Sequence, residues 1–298
     1  MKIAITGASG LIGRKLLKTF AAEGHTLYAL SRHAGTNMPA GVRLAVWDAG
    51  QGEPPEEALR EADAVIHLAG ESVAQRWTAD ARQRILESRQ GGTRSLVRAL
   101  AKLGRRPEVL ICASAVGYYG SRGDETLTES CGPGIGFLPN ICVAWEREAQ
   151  AAEALGMRVV RMRIGVALDT RGGALKSMLG SFRIGAGGRL GDGRQWMSWI
   201  HMDDLAALIG FVLANRIAGP VNAVAPQPVT NAEFTRELGR VLHRPALLPV
   251  PRLVLRLLLG EMSEILLASQ RAIPQAAQAA GFEFQFPELG AALANLLK

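Results

Sequence analysis

The sequence predicts a doubly wound α/β fold, a parallel sheet covered by helices on both faces, followed by a small, mostly helical C-terminal lobe. Three observations carry this reading. Short unbroken apolar runs alternate with amphipathic stretches up to Ile164. A glycine-rich turn over residues 7–13 joins the first apolar run to the first amphipathic stretch. Beyond Gly165 the alternation gives way to helical pieces broken by Pro245, Pro249, Pro251, Pro274 and Pro287. Strands buried on both faces of a parallel sheet read as continuous apolar runs, and helices between them mark crossover connections.

Taken in order, Lys2–Thr6 reads as a buried strand and residues 11–23 as a helix closed by Gly24. Thr26–Ser31 and residues 42–47 are the next strands, and a short helical patch at 56–61 precedes a fourth at 64–68. Residues 78–103 have the period of a long helix, 108–113 a fifth strand, 145–155 a helix and Arg158–Ile164 a sixth strand. Residues 183–194 are a glycine-rich loop, 204–214 a helix and 221–223 a short strand. This places a dinucleotide-binding unit over residues 1–225 and a lobe over 226–298, packed on the carboxyl edge of the sheet where such folds bind ligands.

Composition narrows the function. With 298 residues, 48% hydrophobic and 20% charged, the chain can build a core and is not a disordered polymer. Its three cysteines, Cys112, Cys131 and Cys142, form no C-x-x-C pair, which argues against a disulfide framework or a structural zinc. The opening MKIAITGASG lacks the long apolar run of a signal peptide, and the most apolar stretch, 247–268, is interrupted by two prolines and four charges. A net charge of +7 permits phosphate binding, but six of the 34 basic residues are lysines and the remaining 28 arginines are scattered, with aromatics at only 5%. The expectation is a soluble cytoplasmic protein with a small-molecule substrate and neither a nucleic-acid nor a membrane partner.

The sharpest motif is Ile5-Thr-Gly-Ala-Ser-Gly-Leu-Ile-Gly13, with Gly7, Gly10 and Gly13 spaced G-x-x-G-x-x-G between a strand and a helix. A turn without Cβ atoms lets the backbone approach a pyrophosphate, and the helix N-terminus offers its N–H groups to the negative charge. Ser9, Leu11 and Ile12 belong to the same turn. Cofactor choice is set at the end of the second strand, about 20 residues on, where an acid selects NAD. Here that strand ends in Ser31-Arg32, and a guanidinium pairs bidentately with a 2′-phosphate, so the expected cofactor is NADP. Asp48 is placed either to meet the adenine amino group or to cap a turn. Leu68-Ala69-Gly70 follows the fourth strand, where a glycine either lets the chain pass the cofactor closely or simply ends the strand.

Together, TGASGLIG, HLAG, Ser114…Tyr119-Gly120 and Trp199-Ile-His-Met-Asp-Asp-Leu205 resemble the extended short-chain dehydrogenase/reductase superfamily. SAVGYYG, AWEREA, MRIGVAL, GGALKSML, VNAVAPQPVTNAEF and FPELGAAL are similar to an atypical subgroup, the NAD-dependent epimerase/dehydratase-like family with a small C-terminal domain of unknown function. The resemblance runs from Lys2 to Leu293 and implies a Rossmann sheet and a nicotinamide cofactor.

It also implies a Tyr-x-x-x-Lys pair on the helix after the fifth strand, with a Ser near that strand's end. Aligning AWEREA puts Leu138 and Cys142 at those two positions, and no lysine occurs between Lys102 and Lys176. The dyad is absent. The candidates for catalysis are Ser114, Tyr118 and Tyr119; a phenol needs a nearby cation to act as a base, and Arg89, on the long helix, is one. Packing is the alternative role for Tyr119. Glu71, Arg76, Arg89, Arg163, Gly165 and His201 are candidates for a substrate pocket, with solvent exposure the default for Arg76 and Arg163. Asp203 reads as the N-cap of the helix after it, and His201-Met-Asp-Asp204 supplies too few ligands for a metal. These residues suit an NADP-dependent oxidoreductase or epimerase-like enzyme acting on a small hydroxyl or carbonyl compound. The alternative is a non-catalytic NADP-responsive binding or scaffold protein; oligomeric state is not legible.

Overall fold

The computed structural model of the chain describes residues 1–34 and 38–298. The strands are β1 (Lys2–Thr6), β2 (Thr26–Ser31), β3 (Arg43–Val46), β4 (Ala64–His67), β5 (Val109–Ala115), β6 (Thr126–Leu127), β7 (Arg158–Ile164), β8 (Val166–Leu168), β9 (Trp196–Met197), β10 (Trp199–His201), β11 (Gly219–Ala223), β12 (Val229–Thr230) and β13 (Arg271–Ala272). The helices are α1 (Leu11–Ala22), α2 (Ala79–Lys102), α3 (Phe137–Gln150), α4 (Gly173–Arg183), α5 (Met202–Ala214), α6 (Asn231–Leu242), α7 (Arg252–Leu259), α8 (Ser263–Leu267), α9 (Gln275–Ala279) and α10 (Leu289–Leu296).

Seven strands form one parallel sheet in the order β11-β7-β5-β4-β1-β2-β3. The chain leaves β1 toward β2 on one side and returns on the other side as β4, so the switch point falls between β1 and β4. Crevices at the carboxyl ends of such neighbours are where doubly wound sheets bind ligands. Alternation along the strands fills two cores. Ile3 and Ile5 face Leu16, Leu17 and Phe20 of α1 and Leu208, Ile209 and Val212 of α5. Ala4, Val65 and Leu110 face Leu96 and Leu100 of α2 and Trp145 and Ala149 of α3.

The seven strands of this sheet lie where the apolar runs place them, within a residue or two at each end, whereas the six two- or three-residue strands outside it are too short to leave such a run. α3 begins eight residues earlier than its amphipathic period suggests. Pro139 sits in its first turn, where a missing N–H breaks no helical hydrogen bond. After β11 the chain builds a third core in which Phe234 and Leu238 of α6 meet Leu289 and Leu293 of α10. β13 pairs in parallel with β6, and both Asp204 carboxylate oxygens accept backbone N–H bonds from Gln285 and Phe286 at 2.8 and 2.9 Å, fastening the C-terminal segment to the start of α5.

Candidate nucleotide site and adjoining cleft

The glycine-rich turn lies at the carboxyl end of β1 against the loop that follows β4. Gly7 has φ +64°, and a Cβ there would stand 2.7 Å from the Leu68 carbonyl carbon, so the two backbones touch only because no side chain intervenes. Gly10 occupies the N-cap of α1, no side chain caps this helix, and its first turn holds no acid. The leading N–H groups are therefore free for an anion. A Cβ on Gly13 would overlap the Gly7 carbonyl oxygen.

A cavity of about 570 Å³ opens beside this turn, lined by Gly7, Ser9 and Gly10, by Ser31 and Arg32 at the end of β2, by Asp48, and by Leu68 to Glu71. Ser31 Oγ donates to Ser9 Oγ at 3.1 Å, joining the second strand to the turn. Asp48 Oδ1 accepts from the Gly50 N–H at 3.0 Å, so it caps a turn and lines the cavity at once. Arg32, well exposed, holds Glu71 at 3.4 Å across the mouth. Leu11, Ile12 and Gly13 line a smaller pocket of about 370 Å³ with Gly10, Leu68 and the β8–α4 region.

Behind this wall lies a buried hydrogen-bonded chain. Thr6 Oγ1 accepts the Leu68 and Ala69 N–H groups at 3.1 and 3.2 Å and lies 2.7 Å from His67 Nδ1. With its lone pairs so occupied, Thr6 donates to Nδ1, which assigns the His67 proton to Nε2, 3.0 Å from Thr93 Oγ1. Burial pulls the His67 pKa down to about 3. The imidazole is neutral and sets the loop that touches Gly7.

A second cleft of about 700 Å³ lies between the segment after β5, the start of α3 and the C-terminal region. Gly117, Gly120, Leu138, Arg252, Arg256 and Glu264 are among the residues that line it. Tyr118, flanked by two of its glycines, is partly exposed, and the Arg163 guanidinium lies 3.5 Å from its ring centre. Tyr119 takes the opposite position: it is fully buried, its hydroxyl donates to Asn222 Oδ1 at 2.7 Å, and burial pushes its pKa up to about 12. The structure brings it to neither cavity. Ser114 Oγ is likewise engaged, donating to Glu146 Oε1 at 2.7 Å from a buried position.

Glu146 is the residue that sequence reasoning missed, because its carboxylate sits in AWEREA like any exposed helix acid. Only the buried period of α3, with Trp145 and Ala149 beside it, hints otherwise. It receives Arg163 as a two-point fork, Nε to Oε1 at 2.9 Å and Nη2 to Oε2 at 3.0 Å, with side-chain exposures of 3% and 5%. Although burial opposes the charge, the Glu146 bonds hold the Arg163 pKa above the usual arginine range. Arg163 therefore departs from its expected exposed or pocket-facing place: β7 points it inward, where Glu146 and the Tyr119 oxygen, at 3.0 Å, satisfy it.

Gly165 lines none of these cavities; a Cβ there would overlap the Ser198 carbonyl oxygen, so it lets β8 run beside the chain leading into β10. His201 is buried, stacks on Phe286 with ring centres 4.0 Å apart, and itself caps α5, its Nδ1 accepting the Asp203 N–H at 3.0 Å. The cap expected of Asp203 is thus made two residues earlier, and the acid is left in the first turn, where the helix dipole favours it. Glu71 lines the nucleotide cavity, and Arg89 packs behind Gly70. Among the described residues no group of three or more metal-ligating side chains lies together, and no helix is long and apolar enough to cross a membrane.

A doubly wound parallel sheet with an uncapped, glycine-lined helix N-terminus at its switch point defines an NAD(P)-binding Rossmann protein. The chain belongs to the NAD dependent epimerase/dehydratase family, whose profile matches residues 3–224; residues 250–296 match a domain family of unknown function. It is 41% identical over 299 residues to the epimerase family protein YfhF of Bacillus subtilis, covering 100% of this chain and 98% of that one. It is 42% identical over 294 residues to the epimerase family protein MT2273 of Mycobacterium tuberculosis, covering 98% and 96%. A crystal structure of the human epimerase family protein SDR39U1 (isoform 2) with NADPH superposes with a TM-score of 0.88 at 33% identity, over 99% of each chain.

Proposed function

We propose that the chain is an NADP-dependent reductase or epimerase-like enzyme acting on a small hydroxyl or carbonyl compound held in the cleft beside the C-terminal region. The carrying observation is the composite cavity at the β1–β4 switch point, with the free N-terminus of α1 at its base and Arg32 at its mouth. The residues fit a dinucleotide: the turn has a backbone approach that Cβ atoms would fill, and the guanidinium suits a 2′-phosphate. The human relative crystallised with NADPH supports the same choice. Bound there, the cofactor supplies hydride chemistry.

The chain's own groups bind and orient. Gly7 to Gly13 hold the diphosphate, Ser9 and Ser31 the adenosine side, and Arg32 the added phosphate. Tyr118 is the phenol offered to carry a proton, because it alone of the three expected catalytic groups is partly exposed, in the segment whose Gly117 and Gly120 line the cleft. Ser114 acts on Glu146 and so on the floor beneath Tyr118. Calorimetric titration with NADPH and NADH tests the reading: micromolar NADPH binding with weaker NADH is expected, and binding of neither overturns it.

The engagement of Ser114 and Tyr119, with Leu138 and Cys142 at the dyad positions, also favours a second reading, a nucleotide-responsive binding protein without chemistry. Stereospecific hydride exchange from labelled NADPH to any member of a carbonyl panel rejects it.

A further inference from the structure

Of the eleven large hydrophobic residues that stand exposed among the described residues, seven gather in one region. They are Ile184 after α4, Leu247 and Leu248 in the loop after α6, and Leu253, Val254, Leu257 and Leu258 on α7. The two segments that carry them run side by side. Arg244 Nε donates to the Arg183 carbonyl oxygen at 3.0 Å, and the Leu248 and Val250 N–H groups donate to the carbonyl oxygens of Gly187 and Arg189 at 3.2 and 2.9 Å. α7 follows this pairing, with Leu255 turned into the protein and Arg252 and Arg256 lining the second cleft. Its outward side is left to apolar groups: Leu257 is 74% exposed, and Leu247, before the helix, 81%. Apolar surface gathered so closely marks an interaction surface.

The charge around it has one sign. Residues 173–191 and 243–260 contain Lys176, Arg183, Arg189, Arg244, Arg252 and Arg256, and no Asp or Glu. The first acid past α7, Glu261, is engaged by Arg82. Beside Leu247 the surface is hollowed into a cavity of about 760 Å³, lined by Arg236 and Arg240 of α6 and by Arg189 and Arg244 of the two segments. No acid is among its lining residues. Arg240 is held by Glu237 at 2.9 Å and Arg244 by backbone carbonyls, whereas the side chains of Arg189 and Arg236 make no hydrogen bond or ion pair among the described residues. Guanidinium groups gathered around a hollow repel one another, and an anion entering it relieves that repulsion.

We infer that this face docks on an anionic phospholipid bilayer, its leucines entering the boundary of the acyl layer and its arginine-lined hollow taking headgroup phosphates. Charge and residue type decide among the occupants. A second copy would bring the same cations against these across a two-fold axis, with no acid to meet them. Protein partners are held chiefly by aromatic anchors; this face offers leucine, which is under-represented among such anchors, and no exposed Phe, Trp or Tyr. A bilayer requires no such fit, only apolar side chains to bury and cations at headgroup level. The stretch 247–268 is too broken by charge and proline to span a membrane, but lying on one needs no unbroken run. None of these residues lines the nucleotide cavity, so the inference stands apart from the dinucleotide reading.

The test is co-sedimentation of the full chain with vesicles of phosphatidylcholine alone or mixed with phosphatidylglycerol. Binding to the mixed vesicles is expected, roughly tenfold tighter than to phosphatidylcholine and weakening as salt rises. Leu253→Ser with Leu257→Ser removes apolar contact, and Arg189→Gln with Arg236→Gln removes two cations that no protein group holds. Each pair is expected to weaken binding to the mixed vesicles by roughly tenfold. All four side chains are exposed, so both variants should melt as the parent does. Failure of the unaltered chain to bind the mixed vesicles overturns the inference. So does equal binding to both vesicle types, which would mean that the arginines meet no headgroup, and so does parental binding by both variants. Binding of inorganic tripolyphosphate without binding of vesicles would mean a soluble phosphate ligand, and a dimer in light scattering that the leucine pair dissociates would mean an interface between copies; either result overturns it.

Discussion

Arg32 Nη1 stands 3.4 Å from Glu71 Oε2, a pair that bridges the end of β2 and the loop after β4 across the nucleotide cavity. The arginine side chain is 58% exposed and the glutamate 26%, so the pair itself contributes at most about 1 kcal/mol. Its significance is competition: a 2′-phosphate that engages Arg32 must take it from Glu71 and then sit near that carboxylate.

Glu71→Gln should therefore raise NADPH affinity by a few-fold, up to the roughly fivefold that about 1 kcal/mol allows, and leave NADH nearly unchanged. Parallel calorimetric titrations of the two cofactors decide it. An equal gain for both would place the Glu71 charge on the shared portion of the nucleotide instead.

The Glu146–Arg163 pair should behave as buried pairs do. Glu146→Leu alone leaves Arg163 desolvated and strips an acceptor from Ser114, at an expected cost of about 3–5 kcal/mol in denaturant unfolding. Glu146→Leu combined with Arg163→Met should recover part of that, because the Arg163 charge is then gone while Ser114 and Arg161, 3.9 Å from Glu146, still lack their partner. The Tyr119 oxygen keeps Asn222 in the double variant, so the cycle isolates the ionic coupling. Simple additivity of the two single losses would show that the pair is not coupled.

What could be seen in advance follows from which forces act locally. The apolar runs gave the strands because a two-sided sheet leaves no polar alternation to misread, and Gly7, Gly10 and Gly13 announced the turn because their requirement is a backbone one. Leu138 and Cys142 were legible as the missing dyad for the same reason, since spacing along one helix is local. The surroundings of Arg163 and Glu146 were not. Whether a charged residue is exposed or paired inside depends on β7, α2 and α3 meeting in space, and no window of sequence contains that meeting. Tyr118 and Tyr119 are adjacent, touch each other and share Arg163, yet one is partly exposed and the other fully buried. Both lie in one short 3-10 turn, Val116–Tyr119, and nothing in GYYG says which ring it sends inward.

Acid should weaken the fold through His67. Its folded pKa is about 3, against an ordinary value of 6.5, so between those limits the unfolded chain binds a proton that the folded chain refuses. Stability from this group is complete above about pH 6.5 and falls as pH drops toward 3, with a slope approaching about 1.4 kcal/mol per pH unit. Melting temperatures from pH 7.5 down to 5 should decline accordingly, and His67→Gln should flatten that decline while lowering stability at pH 7.5. A decline as steep in the variant would assign the acid sensitivity to other groups.

Gly7 and Gly24 both hold positive φ, +64° and +80°, yet alanine should affect them very differently. At Gly24, which follows α1, a Cβ meets nothing within 4 Å, so only the left-handed backbone is penalised, by about 1–2 kcal/mol. At Gly7 the same penalty is joined by approaches of 2.7–2.8 Å to the backbone of Leu68 and Ala69, and backbone atoms cannot swing aside as a side-chain end can. Relief requires the loop after β4 to move off the turn, which opens the wall of the nucleotide cavity and pulls on the Thr6 bonds to Leu68 and Ala69. Gly7→Ala should thus lose more stability than Gly24→Ala and at least tenfold in NADPH affinity, whereas Gly24→Ala should bind as the parent does. Thermal melts and titrations on the two variants side by side separate strain from crowding. Equal stability losses with intact binding in both would mean that the contact between the turn and the loop carries no part of the nucleotide site.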